Sequence, residues 1–373
     1  MGDDAIRKGN EILPLTGVRA FGAYGVLLTH FHGDLLALVP AFTVLAPIYS
    51  RGGLGVDLFF VLSGYIISHV YGPAFLRNIR ENYWTYLGSR FARIYPNYFV
   101  TLTLLVVLVL LAGMMGVAVQ GDYRWGWLVA HYLMLQSVPG VPGGWNFPGW
   151  SIGAEFFAYT LVFPAFILAI RACKPPAWLA FAAFPICLLA FWMPKLMGSW
   201  GNSEHLPMVT SEFLAGALVW YSCRESGKIA SLLKWAIPLL LFGLFAVFAL
   251  PAGWGGGTDR VFIVLMFPAI LGGLARSAGI AARVLASPVI VYLGKTSYAL
   301  YLVHAIVQKI LKPTAFRWAT EGGGQLEKAG VFVLYLVLPL VAASLLYHVV
   351  EEPARSWLRS VFAQRARRGR ERG

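Results

Sequence analysis

The stretch GVDLFFVLSGY, residues 55–65, puts an aspartate at the head of an apolar run and a Ser63-Gly64 step inside it. A charge at membrane depth costs about 3 kcal/mol even on the gentlest insertion scale, so Asp57 marks a functional site by default. Outward from this stretch the same conjunction recurs. Arg19, His30, Arg90, Arg93, Glu155, His304 and Glu351 all lie in or at the ends of other apolar segments. A purely structural membrane protein has little use for so many ionisable groups there.

The surrounding chain decides the class. Its 373 residues are 58% hydrophobic and 13% charged, with a mean hydropathy of +0.67, where a soluble domain carries roughly 25% charged residues. A spanning helix needs about 20 mostly apolar residues, and ten segments qualify: 15–34, 54–72, 95–117, 150–170, 177–194, 206–222, 235–252, 259–275, 288–308 and 329–349. The expectation is an all-α polytopic membrane protein, about ten transmembrane helices around a central cavity, with both termini cytoplasmic. Residues 1–14 form a short N-terminal segment, 15–352 the membrane domain and 353–373 a basic cytoplasmic tail. The first residues are charged and have no apolar core before Leu13, so no cleavable signal is expected.

The net charge of +13 does not indicate nucleic acid. With both ends inside, the cytoplasmic segments hold 21 Lys or Arg against 8 on the opposite side, and Lys295 lies just inside a span. Orientation in a membrane requires such a bias. The seven arginines after Pro353 suit anionic lipid. Cys173, Cys187 and Cys223 have neither metal spacing nor a disulfide pattern, and no metal is expected.

Two features hint at a cavity and a ligand. Pro164, Pro185, Pro268, Gly272 and Gly273 break spans, which membranes tolerate where freed backbone groups face protein or water. The loop over 117–149 is rich in Trp, Gly and Pro. It reads as an interfacial belt, or as an aromatic platform for sugar rings.

Individual residues sharpen this picture. Arg19 and His30 are eleven positions apart and therefore share one helical stripe, separated by about 16 Å. Asp34 lies one turn beyond His30, on the side from which it can orient the imidazole. Asp57 has two open readings, an ion pair with Arg51 or an arginine elsewhere, or a role in holding that imidazole. Arg90 and Arg93 are three apart. They read as positive-inside anchors or as a bidentate site for phosphate. Trp150 and Glu155 open the fourth span, Tyr298 and His304 lie on the ninth, and Glu351 closes the tenth within reach of Arg19, Arg90 or Arg93.

Together these segments resemble the acyltransferase family 3 membrane domain. The resemblance rests on the Arg19-to-His30 spacing, GVDLFFVLSGY at 55–65, RFARIYP at 90–96, WSIGAE at 150–155, LGKTSYALYLVH at 293–304 and EEP at 351–353. It implies ten spans in a bacterial inner membrane and a cytoplasmic acyl-CoA donor, most often acetyl-CoA. The acceptor is then a hydroxyl on surface polysaccharide, lipopolysaccharide or peptidoglycan, or alternatively on a macrolide or lipo-oligosaccharide. The family's essential histidine matches His30 and its paired basic residue Arg19. The double-arginine motif matches Arg90 and Arg93, and the acidic-Pro motif Glu351 and Pro353. Asn97 departs from the family, which usually has an apolar residue there. Many relatives carry a further hydrolase-like domain, and the expectation is the stand-alone branch.

On this reading His30 is the base, oriented by Asp34 or Asp57. Arg19, Arg90 and Arg93 neutralise CoA phosphates or the oxyanion, with Glu351 beside them. Trp150, Glu155, Tyr298 and His304 face the acceptor. The rival class is a solute or proton-coupled transporter, in which His30, Asp57 and Glu155 relay protons.

Overall fold

The computed structural model describes residues 7–8, 11–117, 121–198, 204–251 and 257–370. Each of the ten expected spans falls on a helix: α1 Leu13–Leu38, α2 Gly55–Arg77, α3 Ile79–Met114, α4 Gly149–Cys173, α5 Ala177–Leu196, α6 His205–Glu225, α7 Gly227–Phe248, α8 Thr258–Leu274, α9 Pro288–Leu311 and α10 Gln325–Leu346. Among the described residues seven helices are long and apolar enough to cross a membrane. The helices outside that set are α1, α6 and α8. The first two carry several charged or histidine side chains, and α8 has only 17 residues. The protein is an all-α polytopic membrane protein, with one short antiparallel pairing of Arg7–Lys8 against Glu11–Ile12.

Two segments differ from expectation. Helix α3 starts well before residue 95 and runs through Pro96. Residues 309–328 are mostly helix, because α9 continues through a π-turn, Lys312–Phe316, into Arg317–Glu321. Similar π-turns occur at Ala158–Val162 inside α4 and at Tyr347–Glu351 after α10. Each lies at a proline: Pro164, Pro313 and Pro353. Proline supplies no N–H and crowds the carbonyl four residues back, so the adjoining turn widens.

The chain forms two compact units. The first comprises Met1–Val26, Pro47–Tyr83 and Phe157–Lys295. Within it α2 packs most closely on α6, and glycines make this possible. A Cβ on Gly64 would collide with the backbone carbonyl of Phe213, and one on Gly55 with that of Gly22. The two glycines of GVDLFFVLSGY are therefore contact points where backbones meet, the usual way helices pack in lipid.

Between these glycines sits Asp57, in the first turn of α2, where the helix dipole favours an acid. It does not pair with Arg51. The buried Arg51 guanidinium binds Asp259 Oδ2 at 2.8 Å and donates to the carbonyls of Leu250 and Pro251. Asp57 instead lies against the carboxyl of Glu212 on α6, which is fully buried. Asp57 Oδ1 and both Glu212 oxygens meet no N–H or O–H donor among the described residues.

The second unit comprises Leu27–Ala46, Trp84–Phe156 and Thr296–Gly373. It contains His30, Asp34, Arg90, Arg93, Trp150, Glu155, Tyr298, His304 and Glu351. Arg19 and Asp57 belong to the first unit.

Candidate active site

Helices α1 and α9 bring two histidines together. His30 Nδ1 lies 2.7 Å from His304 Nε2, and the rings are parallel to within 8°. Parallel rings whose nitrogens approach this closely cannot be stacked face to face, because the planes would sit inside van der Waals contact. They lie edge to edge in nearly one plane, as a ring-to-ring hydrogen bond requires.

The tautomers follow from the next contact. His304 Nδ1 lies 3.2 Å from the carbonyl of Leu300, one turn back on α9. A carbonyl only accepts, so the proton is on His304 Nδ1. His304 Nε2 then presents a lone pair, and His30 Nδ1 donates to it. This leaves His30 Nε2 as a lone pair, and no group among the described residues hydrogen-bonds it. His304 is buried and His30 half-buried. A neutral imidazole held in one tautomer with its outer nitrogen open has the arrangement of a general base.

Asp34 does not orient this imidazole. One of its carboxylate oxygens binds Gln308 Nε2 at 2.8 Å and the other Lys312 Nζ at 3.1 Å. Gln308 also donates to the backbone carbonyl of His30 at 3.1 Å. Asp34 therefore braces the backbone of α1 through an amide four residues beyond His304.

A second cluster sits on α3. Arg93 pairs with Glu351, and Asn97 Nδ2 donates to the other Glu351 oxygen at 2.6 Å. Glu351 is 1% exposed. The π-turn that ends at Glu351 carries this carboxylate, and Arg355 Nη1 approaches it at 4.0 Å. Arg93 also lies over the ring of Tyr298, whose hydroxyl donates to the carbonyl of Ile94 at 2.6 Å. Of the three partners expected for Glu351, Arg93 takes the role. The Arg93 charge is thus already met inside the protein. Arg90 is half-buried one turn earlier.

The loop between α3 and α4 is stitched down along its length. Tyr98 donates to the carbonyl of His131 at 2.7 Å, Gln136 to that of Gly149, and Ser137 to that of Trp150. Ser151 and Tyr301 join α4 to α9 through hydroxyls 2.8 Å apart. Trp150 and Glu155 are half-buried on α4, and Tyr298 is buried on α9. Tyr301 meets the ring of His304 at 6.0 Å.

Sequence reasoning missed Gln308 and the weight of Asn97. The signal for Gln308 was its place four residues after His304, on one stripe of an apolar helix. Asn97 was visible as an amide where an apolar residue is usual. A cleft of about 630 Å³ in the first unit, lined in part by Arg171, Lys174 and Tyr221, contains none of the expected site residues.

The second unit thus holds an imidazole pair with one open nitrogen and a buried Arg-Glu-Asn clamp. Residues 13–348 match acyltransferase family 3, described as an acyltransferase domain. The chain belongs to this family and is a multi-pass membrane acyltransferase. It is 27% identical to Acyltransferase MdmB of Streptomyces mycarofaciens, over 91% of this chain and 90% of the relative. It is also 27% identical to the putative peptidoglycan O-acetyltransferase YrhL of Bacillus subtilis, and 23% identical to the peptidoglycan O-acetyltransferase OatA of Listeria monocytogenes. Each of those alignments covers 94% of this chain but 57% of the relative. No solved structure matches.

Proposed function

We propose that the protein transfers an acetyl or other short acyl group from a cytoplasmic acyl-CoA to a hydroxyl of a cell-envelope glycan, in the inner membrane of a bacterium with both chain ends cytoplasmic. The observation that carries this reading is the relay from the Leu300 carbonyl through His304 to His30. His30 Nε2 takes the proton as the acceptor oxygen attacks the thioester carbon. The C–S bond breaks, the ester forms, and the proton passes to the departing CoA thiolate. His304 accepts the Nδ1–H throughout, holding the tautomer and sharing the positive charge of the imidazolium.

Arg93 and Glu351 support the donor side as a neutral, rigid pair, and Arg90 is the guanidinium of the second unit that meets CoA phosphates. No metal enters the scheme. Two relatives named for peptidoglycan O-acetylation favour a glycan acceptor. The second reading is acylation of a macrolide or lipo-oligosaccharide. Membership of an acyltransferase family displaces the transporter expectation.

The test is incubation of the reconstituted protein with radiolabelled acetyl-CoA and envelope glycan or macrolide fractions. Alkali-labile label in an acceptor, formed with release of CoA, supports the proposal. Absence of both CoA release and ester refutes it.

A further inference from the structure

One exposed aromatic side chain lies directly against the open imidazole. Phe147 is 58% exposed, yet its neighbours Trp145, Asn146, Pro148 and Gly149 are all buried. Asn146 Nδ2 donates to the carbonyl of Leu302 at 3.3 Å, and the N–H of Gly149 donates to the carbonyl of Asn146 at 2.8 Å. The backbone on both sides is thus fixed, and Phe147 is held out by it. Its ring stands edge-on to His30, centroids 5.2 Å apart and planes at 76°.

A second aromatic group is built on the residue two positions earlier. Fully buried Trp145, two residues earlier, carries Tyr123 at 5.2 Å and half-exposed Trp125 at 4.8 Å. Lys309 lies over the Tyr123 ring at 5.4 Å, and its neighbour on α9, Gln308, holds the backbone of His30. Rigid aromatic faces with an ammonium group at their rim suit a ligand of matching character. A pyranose ring has this character, with flat C–H faces and hydroxyls around its edge. A lipid chain would use the apolar faces and leave the polar rim unused.

We propose that Phe147 is the acceptor platform: a sugar ring stacks on it and directs a hydroxyl at His30 Nε2, while Trp125 and Tyr123 receive the adjoining part of a glycan chain. This rests on the acyl-transfer reading above and names its acceptor as carbohydrate.

The experiment measures initial rates of labelled acetyl transfer by the reconstituted protein to soluble peptidoglycan glycan fragments and to an aglycone macrolide, for wild type, Phe147→Leu, Phe147→Tyr and Trp125→Leu. The expected result is transfer to the glycan fragments by wild type. For Phe147→Leu the acceptor KM rises on the order of ten-fold, with kcat and the acetyl-CoA KM within two-fold. Phe147→Tyr keeps wild-type values, and Trp125→Leu weakens longer fragments more than the shortest. Because Phe147 is exposed, Phe147→Leu leaves the folded yield unchanged.

Unchanged glycan kinetics for Phe147→Leu, or transfer by wild type to the macrolide but not to glycan, overturns the platform and leaves the acyltransferase reading standing. No CoA release from wild type with either acceptor overturns that reading itself, and the platform with it.

Discussion

His304 stands behind His30 as its hydrogen-bond acceptor, 2.7 Å away and nearly coplanar with it, on a helix 274 residues distant in sequence. The partner of the His30 ring is thus a second imidazole, itself fixed by the Leu300 carbonyl, rather than a carboxylate. In a membrane interior this avoids a buried anion, whose desolvation is expensive.

Replacing His304 therefore lowers kcat without disturbing donor binding. His304→Leu leaves His30 Nδ1 with no acceptor and is expected to cost about 100-fold in kcat, the usual scale for lost acid-base function. His304→Gln offers an amide oxygen near the former Nε2 and keeps part of that rate. Steady-state kinetics with acetyl-CoA as varied substrate checks both, and its KM stays unchanged in each. Equal rates for the two variants would remove the relay from the account.

The Arg93-Glu351-Asn97 cluster gives a stability prediction. Removing one member of a buried ion pair leaves the other charge uncompensated, at a cost of about 3–5 kcal/mol. Glu351→Ala and Arg93→Ala are each expected to lower the unfolding midpoint in detergent strongly. The double variant Arg93→Met with Glu351→Met is expected to be less damaged than either. Asn97→Leu removes one donor from Glu351 and costs about 1–3 kcal/mol. Additive losses for the pair would show that it is not coupled.

The Asp57–Glu212 contact predicts an asymmetry between amide and alanine. Glu212→Gln keeps the side-chain volume and gives Asp57 an N–H donor, and holds stability within about 1 kcal/mol of wild type. Glu212→Ala leaves Asp57 buried against a cavity and costs about 2–5 kcal/mol. Thermal unfolding of the two variants at neutral pH distinguishes them.

Gly64 is constrained by geometry rather than chemistry. Gly64→Leu drives a side chain into the backbone of α6 at Phe213 and is expected to cost about 3 kcal/mol. Folded yield by size exclusion is the readout, with Gly33→Ala, where a Cβ meets open space, as the control.

The helices were legible in the sequence because long apolar runs mark them, and seven of those described are long and apolar enough to cross a membrane. The partners of the buried charges were not. Arg51 takes Asp259 rather than Asp57, and Asp57 takes Glu212. Asp34 takes Gln308 and Lys312 while His30 takes His304. Each choice depends on which helix face meets which, over separations of hundreds of residues, and the apolar pattern of a fully buried helix carries little of that information. Glu351 with Arg93 was within reach because three candidates were named, and the π-turn at Pro353 selects among them. Asn97 stood out in the sequence as unusual, but only its contact with Glu351 gives it a purpose.

The most direct measurement is CoA release from acetyl-CoA by the purified protein in nanodiscs with an envelope glycan fraction, comparing wild type with His30→Ala. The account predicts His30-dependent release and ester formation, with His30→Ala reduced at least about 100-fold while retaining its folded yield. Full acyl transfer by folded His30→Ala would contradict it.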